Sequence, residues 1–315
     1  MSSVAAIRTE GLGKTYLSGF LRRPFVGLSD LTLSVPEGIT FGFVGPNGAG
    51  KTTTIKMLMG LQAPTAGNAW LFGTPIADPA SRAAVGFMPE RPYFYEHLTA
   101  WEFLEFYARL SGVPSHERQG RITALLERVE LARFRNVALR KFSKGMLQRA
   151  GIAQALVGDP RLVVLDEPMS GLDPLGRVLV RDLILDERKS GRTVFFSSHI
   201  LSDVEQLSDR VAIVVGGRLR EEGTIDALVG SAVLSVDLTF TGSAELAGAE
   251  LLRADELGRT VRLPPAEVDA ACRAILAAGG SIVAVHRNVR SLEQVLLTEV
   301  ERARVVNEKQ LGVLA

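Results

Sequence analysis

The chain has 315 residues, of which 46% are hydrophobic and 23% are charged, and its formal net charge is +1. That length suffices for one large domain and one small one, and the near-zero charge argues against a nucleic-acid partner. The single cysteine, Cys272, excludes an intramolecular disulfide. Because no apolar run approaches the roughly 18 residues of a membrane span, we expect a chain that does not itself cross a membrane.

Residues 5 to 44 are predicted to be rich in β-strand, with an interruption from Leu17 to Phe25. This interruption mixes apolar residues with Arg22 and Arg23. A surface loop is the favoured interpretation, and contact with a bilayer or a partner is the alternative. The apolar run from Ile39 to Val44 predicts a buried strand.

A phosphate-binding loop is predicted directly after that strand. The residues that fit the pattern G-x-x-x-x-G-K-S/T are Gly45, Pro46, Asn47, Gly48, Ala49, Gly50, Lys51 and Thr52, and Thr53 follows as a further candidate contact. Glycines let successive backbone N–H groups point at phosphates, Lys51 brings a cation to the β and γ oxygens, and the Thr52 hydroxyl can ligate Mg²⁺. A helix is predicted to begin at Lys51, and its dipole adds positive potential there. The chain is therefore predicted to bind a nucleoside triphosphate.

Residues 95 to 160 are predicted to be mainly helical. Apolar residues recur near helical spacing at Leu98, Phe103, Phe106 and Leu110. The aromatic stretch from Arg91 to Tyr95 is a candidate groove for a partner, and packing of these rings onto the core is the alternative.

A second buried strand, Leu162 to Leu165, is predicted to deliver Asp166 and Glu167 at its carboxyl end. Ligands of open α/β sheets bind outside the carboxyl ends of the strands. Asp166 is therefore predicted to reach Mg²⁺, directly or through water, and Glu167 to polarise an attacking water. A further apolar run, Thr193 to Phe196, predicts a strand that leads to His199.

The order of these motifs resembles that of the ATP-binding cassette (ABC) transporter ATPases. Residues 142–149, F-S-K-G-M-L-Q-R, are similar to the family signature L-S-G-G-Q-x-Q-R. Residues 170–173, S-G-L-D, match the D-loop, and His199 matches the switch histidine. Tyr16 lies where the family places an aromatic ring under adenine.

The resemblance implies a P-loop NTPase fold of the α/β class. That fold is an ABC ATPase core with a mixed sheet and flanking helices, carrying an inserted helical subdomain at about 95–160. It also implies a homodimer in which ATP lies between the phosphate loop of one copy and Ser143 and Gly145 of the other. In that dimer His199 holds the γ-phosphate and Asp173 links the two ATP sites.

The resemblance further implies a separate membrane permease of six helices as partner. The chain would then be a peripheral subunit at the cytoplasmic face of the membrane, with export preferred over import. ATP and Mg²⁺ are the expected ligands, with Lys51, Glu167 and His199 as catalytic residues.

Two departures from the family pattern are visible. Lys144 and Met146 replace the first glycine and the glutamine of the signature. Glu90 stands where most cassettes have the Q-loop glutamine, and its carboxylate is still a hard ligand for Mg²⁺. Both departures resemble the exporter branch with a separate permease. For Glu90 a solvated loop acid is the alternative.

After Gly223 the pattern predicts a small α+β accessory domain, so the expected domains are 1–229 and 230–315. Alternation at 234–240 predicts a half-buried strand, followed by a strand at 260–263, a helix at 265–278 and a strand at 282–285. Ser291 to Gln294 fits a capping box that opens a last helix. Dimer stabilisation or regulation is its expected role.

Two other functions remain as alternatives. A soluble ABC ATPase acting on nucleic acid or ribosomes typically carries a coiled-coil insertion or a tandem cassette, and this sequence has neither. A nucleotide-binding regulator without turnover would be favoured by loss of Glu167 or His199, and both are present.

Overall fold

The computed structural model of the chain describes residues 4–18, 23–91, 94–230, 233–246, 248–255, 258–289 and 291–310. By its internal contacts the chain divides into two compact units, Met1–Thr224 with Glu299–Ala315, and Ile225–Thr298. The segment Leu17 to Phe25 and the stretch Arg91 to Tyr95 each fall partly outside the described residues. Among the described residues, every helix is too short or too polar to cross a bilayer.

The strands of the first unit are β1 (Ile7–Ser18), β2 (Arg23–Val35), β3 (Thr40–Val44), β4 (Ala66–Leu71), β5 (Thr74–Pro75), β6 (Val85–Met88), β7 (Leu162–Asp166), β8 (Thr193–Ser198), β9 (Arg210–Val215) and β10 (Arg218–Thr224). Its helices are α1 (Lys51–Leu58), α2 (Ala100–Leu110), α3 (Ser115–Arg128), α4 (Lys144–Leu156), α5 (Pro174–Lys189) and α6 (Leu201–Leu207). Short 3₁₀ helices lie at Pro79–Arg82, Ala132–Phe134 and Leu139–Lys141.

These strands form two sheets. The smaller one has the order β2-β1-β4-β5 and is antiparallel. The larger one has the order β10-β9-β3-β8-β7-β6, in which only the β9–β10 pair is antiparallel. Since β3, β8 and β7 are neighbours and run parallel, their carboxyl ends meet at one edge of the sheet. The predicted P-loop fold, a mixed sheet with flanking helices, is confirmed.

The core explains why these strands form. Every residue of β3, β7 and β8 is buried, which is typical of parallel strands covered on both faces. The ring of Phe195 stacks on Phe41 at a centroid distance of 5.8 Å and lies 5.4 Å from Phe43. The strands that lead to the phosphate loop and to His199 are therefore locked together by aromatic packing.

The helical region, predicted at about 95–160, has its first helix, α2, capped by Thr99. The Thr99 hydroxyl accepts the N–H of Glu102, and the Glu102 carboxylate accepts the N–H of Thr99, which forms a capping box. The apolar face predicted for α2 is only partly buried. Phe103 is fully buried, but Phe106 and Leu110 are 37% and 67% exposed. The ring of Phe106 packs edge-on against Tyr95 at the surface.

The second unit contains α7 (Ile225–Val229), β11 (Val233–Thr241), β12 (Glu250–Asp255), β13 (Gly258–Leu263), α8 (Val268–Ala277), β14 (Ser281–Val289) and the start of α9 (Leu292–Gln310). Its antiparallel sheet has the order β12-β13-β11-β14. A short 3₁₀ helix, Pro265–Glu267, precedes α8.

Leu238 and Phe240 of β11 pack with Ile275 of α8 in a separate hydrophobic core. Strand β12 was not predicted, since all of its residues are exposed and it lacks an apolar alternation. The predicted capping box is present: the Ser291 N–H donates to Gln294 Oε1 at 3.2 Å, and the Gln294 N–H donates to Ser291 Oγ at 3.3 Å.

Candidate functional site

The predicted phosphate loop connects β3 to α1, which begins at Lys51 as the sequence indicates. Gly50 caps this helix with a φ of +102°, and a Cβ there would lie 2.7 Å from the carbonyl oxygen of Gly27. Only glycine fits that position without a shift of the backbone. The first turn of α1 thus presents backbone N–H groups that have no partner within the helix, which suits a phosphate.

Lys51, Asp166, Glu167 and His199 meet at the carboxyl ends of the central strands, and we call them the strand-end cluster. Lys51 Nζ donates to the carbonyl oxygen of Gly45 at 2.6 Å and lies 3.4 Å from Glu167 Oε1. His199 Nδ1 lies 2.7 Å from Glu167 Oε2. The side chains of Lys51 and Glu167 are 6% and 9% exposed, so this ion pair is largely shielded from water.

Asp166 shares a hydrogen-bond network with two hydroxyl groups. Ser197 Oγ donates to Asp166 Oδ1 at 2.6 Å, and Thr52 Oγ1 lies 3.4 Å from the same oxygen. Burial raises the pKa of Asp166; these two hydrogen bonds oppose the rise, and the negative charges of Glu90 and Glu167 add to it. Glu90 is therefore within electrostatic reach of Asp166, although its own side chain is exposed.

The chemistry of these side chains fits Mg²⁺. A buried carboxylate at Asp166 and a hydroxyl at Thr52 are hard oxygen ligands, with a second carboxylate, Glu90, nearby. The described residues contain no group of three or more His, Cys, Asp or Glu side chains suited to a metal. Phosphate oxygens and water would therefore complete the shell, as is usual for Mg²⁺.

Tyr16 lies beside the start of α1. Its hydroxyl is 3.1 Å from Thr53 Oγ1 and donates to Gln62 Oε1 at 2.8 Å. The ring is half-buried, and a Cβ on Gly27 would come within 2.6 Å of it. Tyr16 is thus held close to the phosphate loop, and its contact with adenine stays a prediction.

The signature residues lie elsewhere. Ser143, Gly145 and Asp173 line one cavity of about 690 Å³, which we call the signature cavity, and none of its lining residues in the described part of the chain belongs to the phosphate loop. Ser143 Oγ accepts the N–H of Met146 at 3.3 Å and caps α4. Asp173 Oδ1 accepts the N–H of Gly176 at 2.7 Å and caps α5.

Lys144, which departs from the family signature, packs over the D-loop. A Cβ on Gly171 would lie only 2.1 Å from Lys144 Nζ. The substitution therefore places a cation at the rim of the signature cavity.

Two residues without a predicted role contact the backbone of Glu167 directly. The N–H of Glu167 donates to Ser197 Oγ at 2.9 Å, and Gln148 Nε2 donates to the carbonyl oxygen of Glu167 at 3.2 Å. Both side chains are buried, with Ser197 0% and Gln148 4% exposed. For Ser197 the available signal was a hydroxyl directly after the apolar run Thr193 to Phe196.

Comparison with known proteins points to one family. The family model for ABC transporters matches residues 28–170. An uncharacterized ABC transporter ATP-binding protein of Nostoc sp. is 48% identical over 230 residues, which cover 72% of this chain and 69% of that protein. The bacitracin transport ATP-binding protein BcrA of Bacillus licheniformis is 42% identical over 225 residues, which cover 70% of this chain and 71% of that protein.

Among solved structures, a dimeric ATP-binding cassette in a post-hydrolysis state, bound to ADP and phosphate, is similar to this chain. The TM-score is 0.64 at 25% identity, with 69% of this chain and 98% of that chain covered. The fold, the motifs and these relatives lead to one conclusion. The chain belongs to the family of ABC transporter ATP-binding proteins.

Proposed function

We propose that this chain hydrolyses ATP within a head-to-tail homodimer. The reaction would drive transport by a separate membrane permease, with export as the favoured direction. The observation that carries the proposal is the strand-end cluster beside a phosphate loop. There a buried carboxylate, Glu167, contacts both Lys51 and His199.

Binding of ATP would use the loop Gly45 to Thr53 for the phosphates and the ring of Tyr16 for the base. Lys51 would exchange its contacts with the Gly45 carbonyl and with Glu167 for contacts with phosphate oxygens. Thr52 and Asp166, with Glu90 nearby, would hold Mg²⁺. A bound Mg²⁺ would neutralise charge on the transferred phosphoryl group.

Hydrolysis would use Glu167 as the group that orients a water and accepts its proton. The carboxylate is well placed because its backbone leaves the end of β7 beside the phosphate loop. His199, whose Nδ1 contacts Glu167, has a side chain that is 44% exposed and would hold the γ-phosphate from the open side of the cluster. Electrostatic stabilisation by Lys51 would supply much of the rate enhancement.

The second copy would complete the site. Ser143 and Gly145 line the signature cavity rather than the strand-end cluster of their own chain. A facing copy could therefore present them to the γ-phosphate, with Asp173 connecting the two sites. The similar cassette solved as a dimer with ADP and phosphate supports this arrangement.

The partner in the membrane would be a permease that this chain meets as a peripheral subunit at the cytoplasmic face. Tyr95, Phe106 and Leu110 form an exposed apolar surface on the helical region, and we propose this surface for the contact. The name of another relative, the Nod factor export ATP-binding protein I of Cupriavidus pinatubonensis, which is 37% identical over 217 residues, favours export.

The test is Glu167→Gln, which keeps the volume of the side chain and removes its charge. The variant should bind MgATP, hydrolyse it about 10² to 10⁴ times more slowly, and form an ATP-dependent dimer. Size-exclusion chromatography with light scattering measures the dimer.

A second substitution locates the contact. Ser143→Arg in the Glu167→Gln chain should abolish the dimer, since it adds bulk and charge in the signature cavity. Ser115→Arg, at the exposed start of α3, adds the same group elsewhere and should leave the dimer intact. A dimer that survives Ser143→Arg, or that needs no nucleotide, would contradict the proposed arrangement.

A further inference from the structure

Glu167 has an unusual backbone. Its φ is +53°, in the left-handed region that residues with a side chain rarely adopt. Such a conformation is unfavourable and persists only where the surrounding structure holds it. The contacts that hold Glu167 therefore bear on the direction of its carboxylate.

Two buried side chains hold the two peptide groups that flank this residue. Ser197 Oγ, on β8, accepts the N–H of Glu167 at 2.9 Å. Gln148 Nε2, on α4, donates to the carbonyl oxygens of Glu167 at 3.2 Å and of Pro168 at 2.8 Å. Because both side chains are at most 4% exposed, water cannot readily replace either hydrogen bond.

We infer that Ser197 and Gln148, together the Glu167 clamp, are positioning residues that aim the Glu167 carboxylate at the attacking water. The inference rests on the proposed ATP hydrolysis and adds two positioning residues to its site. Ser197 also donates to Asp166 Oδ1 at 2.6 Å, so one hydroxyl sets the direction of two neighbouring carboxylates. Neither clamp residue needs to touch the substrate.

The clamp also connects two parts of the first unit. Gln148 lies on α4, the helix that Ser143 caps and that lines the signature cavity, whereas Ser197 lies on the central sheet. A shift of α4 would move the carbonyl side of Glu167 while β8 keeps its N–H side fixed. The position of α4 is thereby coupled to the direction of the Glu167 carboxylate.

Ser197→Ala and Gln148→Met test the clamp. Each should lower kcat for ATP hydrolysis by about 10- to 100-fold, the scale of a small misplacement of a catalytic group. For Gln148→Met, KM for ATP should change less than about threefold, since the hydrogen bonds of this side chain go to the backbone after β7 and not to the phosphate loop. Ser197→Thr keeps the hydroxyl and should retain more activity than Ser197→Ala.

The decisive measurement repeats both substitutions in the Glu167→Gln chain. If the clamp acts through the carboxylate, Gln148→Met should change the residual rate by less than about threefold there, whereas Ser197→Ala should keep the part of its loss that acts through Asp166. Equal losses for Gln148→Met in the two backgrounds would overturn the clamp and leave the proposed ATP hydrolysis standing. Glu167→Gln with parental turnover would overturn the proposed role of Glu167 and the clamp with it.

Matched controls come from the same two elements. The control for Ser197→Ala is Thr193→Val on β8, which removes a buried hydroxyl that accepts the N–H of Gly38 at 2.9 Å. The control for Gln148→Met is Gln154→Met, which changes a half-buried amide on α4. Both should keep the parental kcat. If Ser197→Ala does not fold, Gln148→Met alone decides the outcome, because the two substitutions lie on different elements.

Discussion

Glu187 offers a quantitative test of how the helical region is attached to the sheet. This α5 carboxylate is 3% exposed, with Oε1 2.5 Å from Arg128 on α3 and Oε2 2.6 Å from Arg192. Arg192 also contacts Asp159. One carboxylate thus joins the helical region to the helix that follows the D-loop, and we expect Glu187→Ala to weaken that joint.

The magnitude follows from the burial of the three groups. At an effective dielectric constant of about 20, two unit charges 4 Å apart attract by about 4 kcal/mol, so the two pairs give roughly 8 kcal/mol before desolvation. Desolvating the carboxylate cancels several kcal/mol of that attraction. After Glu187→Ala, Arg128 and Arg192 can be rehydrated, since their side chains are already 38% and 26% exposed. We therefore expect a loss of about 2 to 4 kcal/mol, somewhat below the usual cost of breaking a fully buried pair.

Urea unfolding monitored by tryptophan fluorescence measures this loss selectively. Both tryptophans, Trp70 and Trp101, belong to the first unit, so the signal reports on that unit. Combining Glu187→Ala with Arg128→Met should give a double-mutant coupling of about 1 to 3 kcal/mol. A loss in unfolding free energy below about 0.5 kcal/mol, as at an ordinary surface site, would refute the expected role of Glu187. Fully additive losses for Glu187→Ala and Arg128→Met would refute it as well.

Three further outcomes are expected. Phe195→Ala removes a fully buried ring between two rings of β3 and should lower the stability of the first unit by about 3 to 5 kcal/mol in the same fluorescence assay. Ile275→Ala, in the core of the second unit, should cost about 2 to 4 kcal/mol, measured by amide hydrogen exchange in β11. Hydrogen bonds from Arg262 hold the pKa of Asp237 below its ordinary value, so the stability from this pair is complete above about pH 4 and is lost as the pH falls further. Asp237→Asn should remove that part of the acid dependence, and unchanged exchange of β11 at low pH would contradict the assignment.

The sequence predicted those parts of the site that local patterns encode. Glycine spacing after an apolar run located the phosphate loop, and two further apolar runs located β7 and β8 with the residues at their ends. A buried parallel strand needs a continuous apolar run, so its position is visible without knowledge of its neighbours. The exposed β12 has no such pattern, and it was missed for that reason.

The remaining contacts could not be predicted because they join residues far apart in the chain. Ser197 and Asp166 are 31 positions apart, and Arg128 and Glu187 are 59 positions apart. Which polar side chain meets which carboxylate depends on strand order and on how α3 and α4 pack, and neither follows from periodicity. A left-handed backbone at Glu167 is equally invisible in the sequence, since residues other than glycine rarely adopt it.

These long-range contacts converge on the residue proposed to activate water. Its N–H is bound by the central sheet through Ser197, and its carbonyl is bound by α4 through Gln148. Its carboxylate, in turn, contacts the phosphate loop through Lys51 and the end of β8 through His199. The phosphate loop, the central sheet and α4 therefore all contact Glu167. If Glu167 activates water as proposed, its place at this junction makes the direction of its carboxylate depend on both the sheet and α4, as the proposed dimer-dependent hydrolysis requires.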